Sequence, residues 1–121
     1  DDGDTQPAPV LALAEKVKEA DALLFATPEY NYSIPGVLKN TIDWMSRVPG
    51  GIFAGKPAAI MGASMGGMGT YELLARQADR FAAAIAICGA GDPAYATNYA
   101  KKIPVWAFHG AHKTHIWEDS L

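Results

Sequence analysis

A single α/β domain on a four-stranded parallel sheet is the fold class this sequence predicts, and three observations lead there. Four short apolar runs, at 22–26, 57–61, 82–88 and 103–108, lack the polar alternation of a half-solvated strand. The segments between them carry helical spacing or a Gly-rich turn, so strands and helices alternate and form successive βαβ units with right-handed crossovers. The chain has 121 residues, enough for one core and too few for two functional domains.

Taken in order, Val10, Leu13, Ala14 and Val17 recur at helical spacing, while Glu15, Lys16, Lys18 and Glu19 take the solvent side. This first helix ends near Ala20-Asp21, and strand 22–26 follows. Ser33 can cap the second helix and Pro35 suits its first turn; Leu38, Ile42 and Met45 then share a face until Pro49-Gly50-Gly51 ends it. Strand 57–61 leads into the Gly-rich stretch 62–69 and a third helix carrying Tyr71, Leu74 and Ala78. Strand 82–88 places Cys88 as a buried strand residue. A turn at 89–93, with Asp92 as a turn or cap residue, precedes a short helix through Tyr95 and Tyr99. Strand 103–108 closes the pattern, and from His109 onward no period is evident. There is no internal repeat, linker or low-complexity segment.

Half of the residues are hydrophobic and 19% are charged, which excludes disorder. The apolar runs are too short to cross a bilayer. A formal charge of -3, with Lys and Arg scattered, offers no basic stripe for nucleic acid. The single cysteine permits no internal disulfide, and no leader or lipidation motif is present, so the expected compartment is the cytoplasm. The chain begins at Asp1 without a Met, in the manner of a fragment.

The run Ala26-Thr27-Pro28-Glu29-Tyr30-Asn31-Tyr32-Ser33-Ile34-Pro35-Gly36-Val37-Leu38-Lys39-Asn40, continued by Ile42-Asp43-Trp44, resembles the NAD(P)H-dependent FMN reductases of the flavodoxin-like fold, over residues 1–64. A loop at the carboxyl end of a parallel strand can present backbone N–H groups and a Tyr ring to a flat ligand. The resemblance implies that Pro28, Glu29, Tyr30 and Asn31 contact the isoalloxazine ring, with Gly62, Ala63 and Ser64 lining the same pocket. It also implies that the FMN phosphate is held by a Ser/Arg-rich loop after an earlier strand, upstream of these residues. With that anchor outside the chain, no cofactor is expected, or FMN held only weakly.

From residue 62 a second resemblance enters. Gly62-Ala63-Ser64-Met65-Gly66 reads G-x-S-x-G between a strand and a helix, the context of a nucleophile elbow. With Tyr71-Glu72-Leu73-Leu74, Asp79-Arg80-Phe81, Cys88-Gly89 and the run 103–110 it resembles the carboxylesterase and dienelactone-hydrolase branch of the α/β-hydrolases over residues 62–110. That resemblance implies Ser64 as nucleophile and the N–H of Met65 as an oxyanion donor. The remaining parts are incomplete. Lys113 stands where the acid is expected, the family's catalytic His lies past Leu121, and His112 and His115 are in range by sequence only. His112 and His115, with Glu118 and Asp119 near, form no recognisable metal set.

Together these readings predict one α/β domain over 1–121: a four-stranded parallel sheet in sequential order, flavodoxin-like and Rossmann-type, with helices mainly on one face. A flavodoxin-like half, 1–64, joins a hydrolase-like half, 65–121. The expectation is an engineered or recombined chimera, a de novo protein without a complete active site or evolved catalysis. The alternatives are a weak FMN-binding NAD(P)H-dependent oxidoreductase remnant, or a serine esterase acting through Ser64. Crossovers that step one way leave the second sheet face bare, yet Leu23, Phe25, Ile60, Ile85, Ile87, Trp106 and Phe108 leave neither side polar. A homodimer packed through that face is expected, with no nucleic-acid or membrane partner.

Overall fold

The computed structural model describes residues 6–110. Its elements run α1 (Ala8–Glu19), β1 (Leu23–Ala26), α2 (Gly36–Ser46), β2 (Ala58–Ala63), α3 (Met65–Gln77), β3 (Ala83–Ile87) and β4 (Val105–Phe108), with short 3-10 segments at Ala78–Arg80 and Pro93–Asn98. All three strand pairings are parallel and the sheet order is β1-β2-β3-β4, as the alternation of elements predicts. Every connection therefore steps in the same direction across the sheet.

Local chemistry explains the helix boundaries. Pro9 lies in the first turn of α1, where its missing N–H has no helical acceptor to lose. At the other end Lys56 Nζ donates to the carbonyls of Ala20 at 2.6 Å and Lys18 at 3.1 Å, placing a cation on the negative end of the helix. Lys39 pairs with Asp43 one turn on, at 2.6 Å, along the exposed side of α2. The cap of α2 is Pro35 rather than Ser33, whose backbone is already engaged with Tyr30. Asp92 does cap the 3-10 segment, its carboxylate accepting from Ala94 N at 2.8 Å.

The interior divides into two clusters. Ala14, Met45, Val48 and Ile52 join α1, α2 and the turn after it, with Val10, Val17 and Phe53 around them. Leu74 of α3 packs on Ile60 of β2 and Ala84 of β3, ringed by Phe25, Leu73, Phe81, Tyr99, Ile103 and Val105. The register aligns Phe25, Ile60, Ala84 and Val105 in one row, so this second cluster covers one face of the sheet. The row beside it, Ala26, Met61, Ile85 and Trp106, belongs to the opposite face.

Cys88 departs from expectation. It is exposed and lies one residue beyond β3; its N–H still donates to the Phe108 carbonyl at 2.7 Å, and its left-handed backbone, φ 50°, turns the chain away from the strand direction. No helix among the described residues is long and apolar enough to cross a membrane. His112, Lys113, His115, Glu118 and Asp119 lie outside the described residues, as do Ile116 and Trp117.

Candidate functional site

In an open parallel sheet the carboxyl ends of the strands are where loops converge and ligands bind. Here three segments meet: loop 27–35 after β1, the turn at 63–65 after β2, and residues 88–92 after β3. The first is a tight reversal. Tyr30 and Ser33 exchange two backbone hydrogen bonds, at 2.9 and 3.0 Å, across Asn31 (φ 51°) and Tyr32 (φ 61°). Positive φ at both central residues is the type I′ pattern, which favours Asn first and Gly second. Glu29 supports it, its carboxylate accepting from Tyr32 N at 3.1 Å.

Tyr32 therefore holds a backbone conformation better suited to Gly, and its ring is 95% exposed. A left-handed non-Gly residue costs about 1–2 kcal/mol. Tyr32→Gly is expected to raise stability by roughly 0.5–1 kcal/mol once glycine's extra chain entropy is subtracted. Urea unfolding of the two proteins checks this, and a less stable variant would mean that the exposed ring makes a contact the fold depends on.

The second segment is a strand-to-helix turn forced tight by glycines. Ser64 sits at φ 56°, ψ -118°, donating its N–H to the Ile87 carbonyl at 2.8 Å and accepting from Met68 N at 3.0 Å. A Cβ on Gly62 would overlap the Gly66 carbonyl; one on Gly66 would lie 2.8 Å from the Thr27 oxygen; one on Gly67 would lie 2.8 Å from the Ile87 oxygen. The first turn of α3 is thus pressed onto the ends of β1, β2 and β3, and Met65 opens it, in a position whose N–H lacks an intrahelical acceptor.

Beside this turn a cleft of about 650 Å³ opens between loop 27–35 and α3, extending past α3 to the segment after β3. Pro28, Glu29 and Tyr32 form one wall, and Gly66, Met68 and Gly69 another. Farther along, Tyr71 and Tyr99 stack at a tilt with centroids 6.2 Å apart, and Tyr95 stands exposed beside them. Burial, reinforced by Tyr99, holds the Tyr71 hydroxyl above the ordinary tyrosine range, so it remains a neutral donor through physiological pH. Arg76 and Glu72 pair one turn apart at the rim.

Of the residues expected to contact a flavin, Pro28 and Glu29 line this cleft. Tyr30 and Asn31 are exposed in the same turn without lining it. Gly62 is buried beneath Gly66, where its role is close packing; Ala63 and Ser64 are exposed at the end of β2, outside the cleft lining. Tyr32, Met68 and Gly69 are cleft residues that the sequence reading did not assign. Asn31 was the available signal for Tyr32, since Asn opening a two-residue turn turns the next side chain outward with it.

The serine-hydrolase arrangement is not assembled among the described residues. His109 Nε2 is 2.9 Å from the Gly89 carbonyl oxygen, and no described histidine bonds to Ser64. The elbow shape has a simpler origin: a helix that starts directly over a strand end needs a sharp turn and small residues, whatever the chemistry.

Comparison with known proteins places this geometry. A family model described as NADPH-dependent FMN reductase matches residues 1–102. An NAD(P)H-dependent FMN reductase of Pseudomonas aeruginosa is 64% identical over 64 residues, covering 53% of this chain and 35% of that protein. A quinone reductase of Escherichia coli is 57% identical over 63 residues, covering 52% of this chain and 34% of that protein. The match thus spans about a third of the length of these relatives. Among solved structures, a flavoenzyme NAD(P)H:(acceptor) oxidoreductase from Paracoccus denitrificans aligns with a TM-score of 0.45 and 48% identity over 47% of this chain and 32% of that one.

The matches correct three expectations. The family match runs past the join expected at Gly62-Ala63-Ser64, so a reductase half fused to a hydrolase half is not supported. The relatives are named as reductases, which overturns a de novo chimera without evolved catalysis and the reading as a non-enzyme. An expectation of no cofactor likewise has no support in a family named for FMN.

Proposed function

The chain belongs to the NADPH-dependent FMN reductase family, and from that premise we propose that it supplies the ring-binding part of an FMN-dependent NAD(P)H oxidoreductase acting on quinone-type acceptors. The observation that carries this reading is the strained turn at Asn31-Tyr32, which sets an exposed aromatic ring at the mouth of a cleft at the carboxyl end of β1. Non-Gly residues held in left-handed conformations cluster at ligand sites, where the cost is offset by what the side chain does.

The residues present suit a flat, largely apolar ring with a few polar edges. Pro28, Tyr32 and Met68 offer apolar surface, and the cleft volume lies in the range of small-molecule sites. Gly66 and Gly69 keep the wall of α3 flush, since a Cβ at Gly69 would press on the Glu29 carboxylate at 3.0 Å. Glu29 is fixed by its bond to Tyr32 N and so orients the turn. Bound there, FMN would accept a hydride from NAD(P)H and pass reducing equivalents to the acceptor.

FMN fluorescence titrated with the protein tests this directly. Saturable quenching is expected, and Tyr32→Gly should weaken it about ten-fold, the worth of roughly one aromatic contact, while unfolding stays at least as cooperative. Absence of saturable quenching at millimolar protein would remove the flavin reading from this chain.

A further inference from the structure

The end of the cleft beyond Met68 is a built site that the flavin reading does not use. Tyr71 and Tyr99 meet there with ring centroids 6.2 Å apart and planes tilted by 35°, and the Tyr95 ring, 48% exposed, stands beside them. The backbone fixes their placement. A Cβ on Gly91 would lie 2.8 Å from Cγ of Tyr71, so the missing side chain at Gly91 is what seats the Tyr71 ring. Asn98 Nδ2 donates to the Ala75 carbonyl at 2.9 Å and ties the 3-10 segment to α3, while Asp92 caps the start of that segment. Tyr99 also packs on the cluster around Leu74, which holds its ring against the core.

Two properties of this end select a ligand. The first is a free donor. Among the described residues the Tyr71 hydroxyl has no hydrogen-bond partner, and burial together with Tyr99 keeps it protonated, so it can donate to a carbonyl oxygen on a ring lying along the tyrosines. The second is charge. Arg76 is the one basic residue lining the cleft among those described, and it is paired with Glu72. Asp92 and Glu29 line the cleft with no described cation against them. The positive end of α3 does not compensate, because Tyr71 lies about 9 Å along the helix from Met65 and the dipole acts within the first turn. An anion at this end meets carboxylates and aromatic rings, and no free cation among the described residues.

We propose that this end of the cleft is the acceptor subsite: it takes an uncharged planar quinone-type ring, stacked on Tyr95 and hydrogen-bonded through one carbonyl to the Tyr71 hydroxyl, and discriminates against anionic acceptors. Calling that ring an electron acceptor rests on the flavin reading; its binding does not. Met68, which lines the flavin end, precedes Tyr71 by one helical turn and is its neighbour on the surface of α3, so the two sites are contiguous.

The probes are 2,3-dimethyl-1,4-naphthoquinone and 2-hydroxy-3-methyl-1,4-naphthoquinone, nearly equal in size, the second an anion at neutral pH. Both have the reactive ring positions substituted, so neither arylates the exposed Cys88. Titrated without flavin and followed by backbone amide NMR, the neutral quinone should shift the amides of Tyr71, Gly91 and Tyr95 with a dissociation constant on the order of 0.1–1 mM. The anion should bind about five-fold more weakly, with the gap narrowing at high salt. Tyr71→Phe should weaken the neutral quinone about five-fold and abolish the lowering of its carbonyl stretch on binding, which a packing role of Tyr71 would leave in place. Tyr95→Ala, at an exposed position, should weaken it by about five- to ten-fold and keeps the test available should Tyr71→Phe not fold. No shift at these amides, equal affinity for the two probes, or an unmoved carbonyl stretch with the wild-type protein each overturns the proposal. FMN quenching without these shifts would remove the acceptor subsite alone; these shifts without FMN quenching would remove the flavin reading and leave the ring site.

Discussion

Gly62→Ala is expected to lose about 3 kcal/mol of stability, an overpacking cost at the upper end for one added methyl. The new Cβ meets the carbonyl of Gly66 and lies 2.9 Å from its Cα, so the obstacle is backbone that no rotamer change can move. The start of α3 would have to lift from β2. It is held down on either side, by Gly66 against the Thr27 carbonyl and by Gly67 against the Ile87 oxygen and the Gly89 nitrogen, so lifting opens three contacts together. The urea midpoint should fall by about 1–3 M, given slopes of roughly 1–3 kcal/mol per M for small proteins. Gly36→Ala is the matched control: its Cβ would enter open space, and a change of less than about 0.5 kcal/mol is expected for such a surface position. Equal midpoints for Gly62→Ala and wild type would mean that α3 does not sit on β2 as described. Lifting Gly66 also moves a wall of the cleft, so FMN quenching should weaken in this variant where it survives folding.

Leu74→Ala comes next, with an expected loss of about 3 kcal/mol. Leu74 is fully buried and, among the described residues, is the largest side chain that is so; it fills the space between α3 and the sheet against Ile60 and Ala84. Its neighbour on β3, Ala84, is too small to close the cavity, which places the cost in the middle of the range for such truncations. Leu11→Ala, at a position 45% exposed on α1, should cost less than about 1 kcal/mol. Equilibrium denaturation separates the two, and comparable losses would mean that stability does not reside in the α3–sheet cluster.

Several features that function depends on were legible without a structure. The apolar runs located all four strands to within about two residues, because short uninterrupted apolar runs bounded by turn residues and alternating with helical segments are the pattern of a parallel sheet. The run from Ala26 to Asn40 marked the loop that lines the cleft and pointed to flavin chemistry, since a specific stretch of residues at a strand's carboxyl end reports a ligand more directly than composition does. The Gly62-to-Gly66 turn was legible too, and was misread. Gly62 and Gly66 are required because α3 begins hard against the ends of β1 and β2, so the two glycines of the pattern record close packing, and no contact among the described residues requires the serine between them.

Sequence by itself determined the fold class, the order of elements and the loop that bears the site, all of which follow from local patterns of apolar, polar and turn-forming residues. Tertiary structure alone decided which side chains of that loop face the cleft. The left-handed conformations of Asn31 and Tyr32 arise from a pair of backbone bonds between Tyr30 and Ser33, and those bonds occupy the backbone of the serine that would otherwise have capped α2. It also decided that Gly62 packs while Gly69 lines, because each depends on how closely α3 approaches the strand end and the loop after β1 and not on the neighbours of that residue in the chain.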